Sequence, residues 1–168
     1  MKVCDLSTKY FVRKLTENDI DSIFELSSGN ALFYRFHPPF VTKESIREDM
    51  LALPPGKGYG DKFYIGFFHG GKLAALMDFI RDYPDNGVIF IGLFMVDAAI
   101  QGQGIGTEIL RECCSCWQAF GYRKVRLGVD KGNPQSGAFW RKNGFARCEE
   151  SSKQADAYIR MERAMDVP

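Results

Sequence analysis

The sequence lacks any apolar segment long enough to cross a membrane as a helix. Its longest apolar run, with one glycine inside, spans the nine residues Val88–Val96, whereas a membrane-spanning helix needs about 20. Residues 1–15 carry scattered charges where a secretory signal peptide requires a continuous apolar stretch. We therefore expect a cytoplasmic protein that has no membrane partner.

A marked excess of one charge is also lacking. The chain has 22 Lys and Arg residues against 21 Asp and Glu residues, which gives a net charge of +1 at pH 7. Proteins that bind nucleic acid through its phosphates usually carry a clear basic excess. The charge balance therefore argues against nucleic acid as a partner.

Metal-binding and disulfide patterns are weak. Only two histidines are present, and the Cys113–Cys116 pair has no second pair at the spacing of a zinc site. We therefore predict no metal. Five cysteines are an odd number in a chain without an export signal, so reduced thiols are expected. Cys113 and Cys114 are predicted to be small core residues of a helix, with redox or metal chemistry at the Cys113–Cys116 pair as the alternative.

What the sequence does contain is enough apolar material for one core. Hydrophobic residues make up 45% of the 168 residues and aromatic residues 14%, which excludes a disordered chain. At roughly 100–200 residues per domain the length fits one domain. No repeat, linker or low-complexity segment divides it, so we assign residues 1–168 to a single domain.

Hydrophobic periodicity predicts strands and helices in mixed order. The segment 31–40 is predicted to be irregular, and the strand at 88–96, apolar on both faces, is placed in the middle of a sheet. Gly70-Gly71 indicates a hairpin between two strands. The predicted strands cover residues 10–15, 63–68, 72–80, 88–96, 124–129, 145–150 and 157–163. The predicted helices cover residues 16–28, 42–53, 107–120 and 133–142.

A glycine-rich loop, Gln101–Gly106, directly follows the buried strand and directly precedes a helix. Its three alternate glycines remove side chains where backbone N–H groups turn toward a ligand, and the helix start adds about half a positive charge. No Gly-Lys-Ser/Thr follows, and the spacing is G-x-G-x-G rather than the G-x-G-x-x-G of dinucleotide-binding proteins. The pattern favours a phosphate-binding loop, with a plain tight turn as the alternative.

Two motifs at a fixed separation resemble those of one enzyme family. Gln101-x-x-Gly104-x-Gly106, after the strand 90–96, resembles the pyrophosphate-binding motif of the GNAT family of N-acetyltransferases. The segment 133–145, with Asn133, Ser136 and Phe139-Trp140, resembles the second motif of that family. The segment 11–26 is similar to its opening strand and helix. The resemblance covers residues 10–163.

The resemblance implies an α/β (α+β) fold of the GNAT acyltransferase type. Such a fold has a central mixed, largely antiparallel sheet of six to seven strands, flanked by helices and splayed between the fourth and fifth strands. It also implies an acetyl-CoA-dependent enzyme that transfers acetyl to a primary amine of a small molecule or a peptide N-terminus, by direct attack in a ternary complex. A bulge near residues 92–94 is expected to aim a backbone N–H at the thioester carbonyl, where it would stabilise the oxyanion.

The same resemblance assigns the residues that bind acetyl-CoA. They lie on the strand end, on the glycine-rich loop and on the following helix of the second motif, where Lys142 is equally well explained as part of a solvated helix face. The implied set is Phe94, Met95, Val96, Gln101, Gly102, Gln103, Gly104, Ile105, Gly106, Thr107, Asn133, Ser136, Phe139 and Lys142.

The sequence departs from the family at the position of its catalytic tyrosine, which is Trp140 here. An indole N–H is too weak an acid to protonate a thiolate, although it can donate a hydrogen bond. We expect Trp140 to pack beneath the cofactor. The general acid is then Tyr122, which we assign first, or Tyr158, Tyr83 or water, because a thiol of pKa near 8.5 leaves with little help.

The general base is not evident from the motifs. An amine of pKa near 10 must lose a proton before it attacks, yet the strand 88–96 has no Asp or Glu. Asp78, among apolar residues of the neighbouring strand, is the base that we assign, because burial would raise its pKa. Asp97, Asp82, Asp130 and a water chain remain alternatives.

The acceptor is expected to meet an aromatic wall with little acid, which favours a small apolar amine, an amino acid or a peptide N-terminus over a polycation. Two other functions remain open: a CoA-binding module of this fold without catalysis, and an unrelated phosphate-binding protein. A homodimer is also left open. The assigned substrate-binding residues are Phe33, Tyr34, His37, Tyr83 and Tyr158.

Overall fold

One seven-stranded sheet organises the molecule in the computed structural model, which describes residues 1–148 and 157–165. The strand order is β1-β2-β3-β4-β5-β7-β6, and every neighbouring pair is antiparallel except β4 and β5, which are parallel. The mixed, largely antiparallel sheet is confirmed. The strands are β1 Phe11–Lys14, β2 Lys62–His69, β3 Lys72–Arg81, β4 Val88–Val96, β5 Lys124–Asp130, β6 Ala146–Arg147 and β7 Tyr158–Ala164.

Five α-helices in the described part of the chain connect and cover these strands. Short 3-10 turns precede the first strand, the first helix and the glycine-rich loop. No helix among the described residues combines the length and the apolar character needed to cross a membrane. The helices are α1 Ile20–Ser28, α2 Ala31–Phe36, α3 Lys43–Leu51, α4 Ile105–Ala119 and α5 Pro134–Lys142.

Each face of the sheet carries its own hydrophobic cluster. On one face, side chains of α4 and α5, with Trp117 fully buried, pack on alternate residues of the central strands such as Phe63, Ile65 and Phe67. On the other face, α1 and α3 pack on the intervening residues, including Tyr64. Cys113 and Cys114 are buried in the first cluster, as predicted.

Local signals explain several of the elements. Gly70 and Gly71 both have positive φ, 56° and 79°, as the predicted two-residue hairpin turn requires. The Thr42 side chain accepts the Ser45 N–H at the start of α3, and the Asn133 side chain accepts the Ser136 N–H at the start of α5. Both helices begin where the sequence predicts.

Two predictions of local structure are corrected. The sequence predicts that the segment 31–40 is irregular, but its first six residues form α2. The prolines at 38 and 39 restrict only the residues from His37 onward, so the chain before them is free to form a helix. The predicted strand at 145–150 is present as the two residues of β6. Phe145 and Cys148 flank this strand without being part of it, and residues 149–150, with the predicted polar loop, lie outside the described residues.

The fourth and fifth strands part in the middle of the sheet. Their parallel pairing runs from Val88 opposite Lys124 to Ile91 opposite Leu127, although β4 continues to Val96 and β5 to Asp130. The expected splay between the fourth and fifth strands is confirmed. Beyond Ile91, β4 has no partner on its β5 side among the described residues.

Candidate active site

A cleft of about 430 Å³ opens where β4 and β5 part. The end of β4, the glycine-rich loop and the start of α4 form one wall, and α5 forms the other. All the assigned cofactor-binding residues except Gln103 line this cleft. They are Phe94, Met95, Val96, Gln101, Gly102, Gly104, Ile105, Gly106, Thr107, Asn133, Ser136, Phe139 and Lys142.

Two glycines of the loop adopt left-handed backbone conformations beside open space. Gly102 has φ +78° and Gly104 has φ +85°, and a Cβ at either residue would meet no atom within 4 Å. Gly106 is a glycine for a different reason, because its Cβ would lie 3.2 Å from Phe139 and 3.3 Å from Val96. It allows α4 to pack closely on β4 and α5, whereas the first two leave room for a ligand.

The start of α4 has no side-chain cap. Its N-cap residue is Gly104, and the first intrahelical hydrogen bond runs from Glu108 N–H to Gly104 C=O at 3.0 Å. The amides of residues 105–107 therefore precede the hydrogen-bonded helix and point toward its N-terminal end. Uncapped amides and the positive end of the helix dipole together favour a bound anion such as a pyrophosphate.

Side-chain amides hold the loop against the end of β4. Gln101 Nε2 donates to Asn30 Oδ1 at 2.7 Å and to the Val96 carbonyl at 3.0 Å. Asn30 Nδ2 donates in turn to the same Val96 carbonyl at 3.2 Å and to the Leu26 carbonyl at 2.9 Å. This places the start of α2 at the mouth of the cleft. Sequence analysis missed Asn30, because only the fold brings it to Gln101.

The expected bulge is at Gly92. Asp78 pairs with Leu93 and Phe79 pairs with Ile91, so Gly92 is the extra residue on β4. The bulge reverses the alternation of side chains: Ile91 and Phe94 face one cluster, whereas Leu93 faces the other. The side chains of β4 therefore change faces directly after Ile91, where the pairing with β5 ends.

The Asp78 carboxylate lies against this bulge. Its Oδ2 is 3.4 Å from the Cβ position of Gly92 and accepts a hydrogen bond from Lys62 Nζ at 2.7 Å. Both side chains are largely buried, with exposed fractions of 5% for Lys62 and 15% for Asp78. Oδ1 of Asp78 is buried and has no hydrogen-bond partner among the described residues. Burial raises the pKa of Asp78 above its usual range, although the ammonium of Lys62 acts in the opposite direction.

Two further groups surround Asp78 that the sequence did not indicate. Tyr64 lies directly opposite Asp78 on β2, and burial raises the pKa of its phenol. Asp49, on α3, is an exposed residue, but partial burial of its carboxyl raises the pKa of that group, whereas Lys62 and His37 lower it. Sequence spacing could not predict that these residues lie together, because they come from three separate elements: Lys62 and Tyr64 from β2, Asp78 from β3 and Asp49 from α3.

Four of the five assigned substrate-binding residues lie together. Phe33 lines the cleft, and its ring contacts Tyr34 at 5.0 Å and His37 at 5.1 Å between centroids. His37 lies 6.3 Å from the Tyr158 ring, and its Nδ1 is 3.0 Å from Asp130 Oδ1. We call Phe33, Tyr34, His37 and Tyr158 the aromatic wall. Since Asn30 contacts the end of β4 and His37 the end of β5, this wall bridges the mouth of the splay.

Tyr83 and Tyr122 lie elsewhere. The Tyr83 N–H donates to the carbonyl of Val88, and its ring contacts Phe90, so it belongs to the first half of β4. Tyr122 precedes Lys124, which pairs with Val88, and burial and Asp82 raise the pKa of its phenol. Both tyrosines are therefore at the end of β4 opposite the glycine-rich loop. The structure does not bring the assigned acid Tyr122, or Tyr83, to the cleft, because α4 returns the chain to the start of β4.

Trp140 lies in the core and also forms part of the cleft wall. It is 7% exposed, and its ring packs edge-on against Phe139 and Phe145 with centroids 5.0 Å apart in each case. The Phe94 ring is 6.2 Å away. The Trp140 ring therefore packs in the core beneath the cleft, and the expectation that it does not protonate the thiolate stays a prediction.

Residues 22–145 match the model of the acetyltransferase (GNAT) family. The chain belongs to this family. No curated protein sequence matches this GNAT chain significantly.

Solved structures of acetyltransferases share the fold of this GNAT chain. An acetyltransferase from Thermus thermophilus has a TM-score of 0.77 and 18% identity, with 98% of this chain and 100% of that chain covered. The PaiA N-acetyltransferase from Thermoplasma acidophilum, solved in complex with coenzyme A, has a TM-score of 0.67 and 17% identity over 92% and 98%. The ribosomal-protein-S18-alanine N-acetyltransferase from Escherichia coli has a TM-score of 0.66 and 15% identity over 94% of each chain.

Proposed function

We propose that this GNAT chain transfers acetyl from acetyl-CoA to a primary amine of a small molecule or a peptide N-terminus, by direct attack in a ternary complex. The observation that carries the proposal is the uncapped start of α4 beside two open, left-handed glycines at the splay of β4 and β5. Coenzyme A in the Thermoplasma relative, and an alanine acceptor in the name of the Escherichia coli relative, support the two substrates.

The residues of the cleft fit acetyl-CoA. The amides of residues 103–107 would hold the pyrophosphate at the helix start. Beyond Ile91, β4 pairs with no strand on its β5 side among the described residues, so the pantetheine arm would bind there, along Met95-Val96, as an added strand. The Val96 carbonyl already accepts from Gln101 and Asn30 and would not be available to the arm. Asn133 lies on the opposite wall, where its side-chain oxygen already caps α5, and Ser136, Phe139 and Lys142 continue that wall.

The bulge at Gly92 and the adjacent Asp78 are the groups that we propose for the chemistry. Acetyl-CoA supplies an activated thioester. The bulge at Gly92 would aim a backbone N–H at the oxyanion that forms on attack, an interaction that is worth about 3–4 kcal/mol in other enzymes. Asp78 would take the proton of the acceptor ammonium on Oδ1, the oxygen that Lys62 does not occupy.

The leaving thiolate needs no acid from the protein in this account. Trp140 packs in the core, and Tyr122 lies at the other end of β4. A thiol of pKa near 8.5 leaves readily near neutral pH, and water can protonate the product. Of the three tyrosines that the sequence offers as general acid, Tyr158 is the one that belongs to the aromatic wall, through its contact with His37.

The test is an amine screen with acetyl-CoA that measures free CoA and the mass of each product. Amine-dependent CoA release with an N-acetylated product is the expected result, and Asp78→Asn is expected to abolish most of it. Binding of acetyl-CoA without turnover of any amine would favour the non-catalytic CoA-binding module instead. Cytoplasmic location and a homodimer remain expectations that fractionation and light scattering would test.

A further inference from the structure

The buried oxygen of Asp78 needs a donor. Oδ1 has no hydrogen-bond partner among the described residues, whereas Oδ2 is held by Lys62. A buried carboxylate oxygen without a donor is destabilising, because its desolvation is not compensated. A ligand group that donates hydrogen bonds and carries positive charge would satisfy it.

The charges around this oxygen favour a cation over an anion. Asp49 is close enough to act electrostatically on Asp78, Tyr64 and Tyr34. Lys62 and His37 are the two side chains that lower the pKa of Asp49, and each already has a carboxylate partner, Asp78 and Asp130 respectively. The group therefore leaves an excess of negative charge beside the aromatic wall and offers no unpaired cation for a carboxylate.

We infer that the acceptor is a primary amine with no free carboxylate on its ammonium-bearing carbon, and that its ammonium binds between Asp49 and Oδ1 of Asp78. The aromatic wall takes the apolar part of the acceptor, since Phe33 joins this wall to the cleft. Arylalkylamines and the N-termini of peptides that begin with an aromatic residue share this chemistry, whereas free amino acids do not. The inference rests on the proposed function and narrows its substrate class.

The test compares ligands that share the aromatic ring and the primary amine and carry a carboxamide, a hydrogen or a carboxylate on the ammonium-bearing carbon. Calorimetry measures binding of phenylalaninamide, 2-phenylethylamine and phenylalanine to the full chain saturated with CoA. The amide and the amine are expected to bind about tenfold or more tightly than the free amino acid, because the carboxylate meets uncompensated negative charge. Phenylalanyl-glycine distinguishes the two types of acceptor. If it binds more tightly than 2-phenylethylamine, the acceptor is a peptide N-terminus, and if it binds more weakly, the acceptor is a small amine.

A pair of variants on α3 tests where the ammonium binds. Asp49→Asn is expected to reduce the preference for the amide over phenylalanine by about tenfold. Glu48→Gln removes the same charge from the adjacent, also exposed residue and is expected to leave the preference unchanged. Equal or tighter binding of phenylalanine, no binding of the amide and the amine at millimolar concentration, or an unchanged preference in Asp49→Asn would overturn the inference. Failure of CoA itself to bind would instead refute the proposed function.

Discussion

Lys62 is expected to set the pH at which the enzyme becomes active. The base must be ionised to accept a proton, so activity falls as the pH drops through the pKa of Asp78. Burial raises that pKa and the Lys62 ammonium, 2.7 Å from Oδ2, lowers it. Replacing Lys62 by Met removes the favourable charge, and the pKa of Asp78 rises further. A neighbouring cation commonly lowers the pKa of a carboxyl by about 1–3. In Lys62→Met the acid limb of the profile of kcat/KM against pH should therefore shift to higher pH by about 1–3 units.

The assay is kcat/KM against pH from CoA release, with an amine found by the screen. Lys62→Arg keeps the charge and should restore a profile close to that of the parent, a result that a purely structural role would not give. Lys72→Met makes the same chemical change at an exposed hairpin position and is the control. Asp78→Asn should lower kcat/KM by about 10²–10⁴.

The stability of the variants must be measured as well. Removing one partner of a buried ion pair costs about 3–5 kcal/mol, so both Lys62→Met and Asp78→Asn should unfold at lower temperature. The pH at half-maximal activity does not depend on the fraction folded as long as that fraction is constant over the pH range. An acid limb in Lys62→Met at the same pH as in the parent would refute the assignment of Asp78 as the base.

Three further predictions follow from other residues. Trp140→Phe should keep kcat within about tenfold of the parent and weaken acetyl-CoA binding modestly, because the ring packs beneath the cleft; a hundredfold loss of kcat with unchanged binding would contradict this. Peptide mass spectrometry during turnover should find no acetyl group on Cys113 or Cys114, because burial raises the pKa of Cys113 and raises that of Cys114 to about 11, which leaves little thiolate. Arg13 holds the pKa of Asp19 at about 2, below the ordinary 3.8, so the pair should contribute about 2 kcal/mol above pH 4 that is lost as the pH falls toward 2, and Asp19→Asn should lack this step in acid unfolding.

The loop could be predicted from sequence because its geometry is encoded locally. Gly102 and Gly104 need positive φ, and the buried strand before them and the helix after them are visible in the hydrophobic pattern. The same pattern indicated the strands and their hairpin. Segment 31–36 shows the limit of such reasoning, since its aromatic residues have no helical period and the prolines that follow argue against a helix.

The surroundings of the proposed base Asp78 could not be predicted, because they depend on the register of the strands. Lys62 and Asp78 meet through the antiparallel pairing of β2 and β3, and the bulge at Gly92 decides which neighbours face them. Asp49 joins them from a helix on the covering layer. Conversely, Tyr122 is a reasonable general acid by residue type alone. The parallel pairing of β5 with the first half of β4 places it at the end of β4 that lies away from the glycine-rich loop.

The most direct test of acetyl-CoA binding at the glycine-rich loop is a calorimetric titration with acetyl-CoA of the parent, Gly104→Val and Gly121→Val. Both glycines have similar positive φ, 85° and 87°, neither has an atom within 4 Å of its Cβ position, and they lie at opposite ends of α4. The two variants therefore share the backbone strain, about 1–3 kcal/mol, and differ in whether the side chain enters the cleft. Gly121→Val should bind like the parent, whereas Gly104→Val should bind about 100-fold more weakly or worse, as the loss of two charge-assisted hydrogen bonds implies. Parent-like affinity in Gly104→Val would contradict the account.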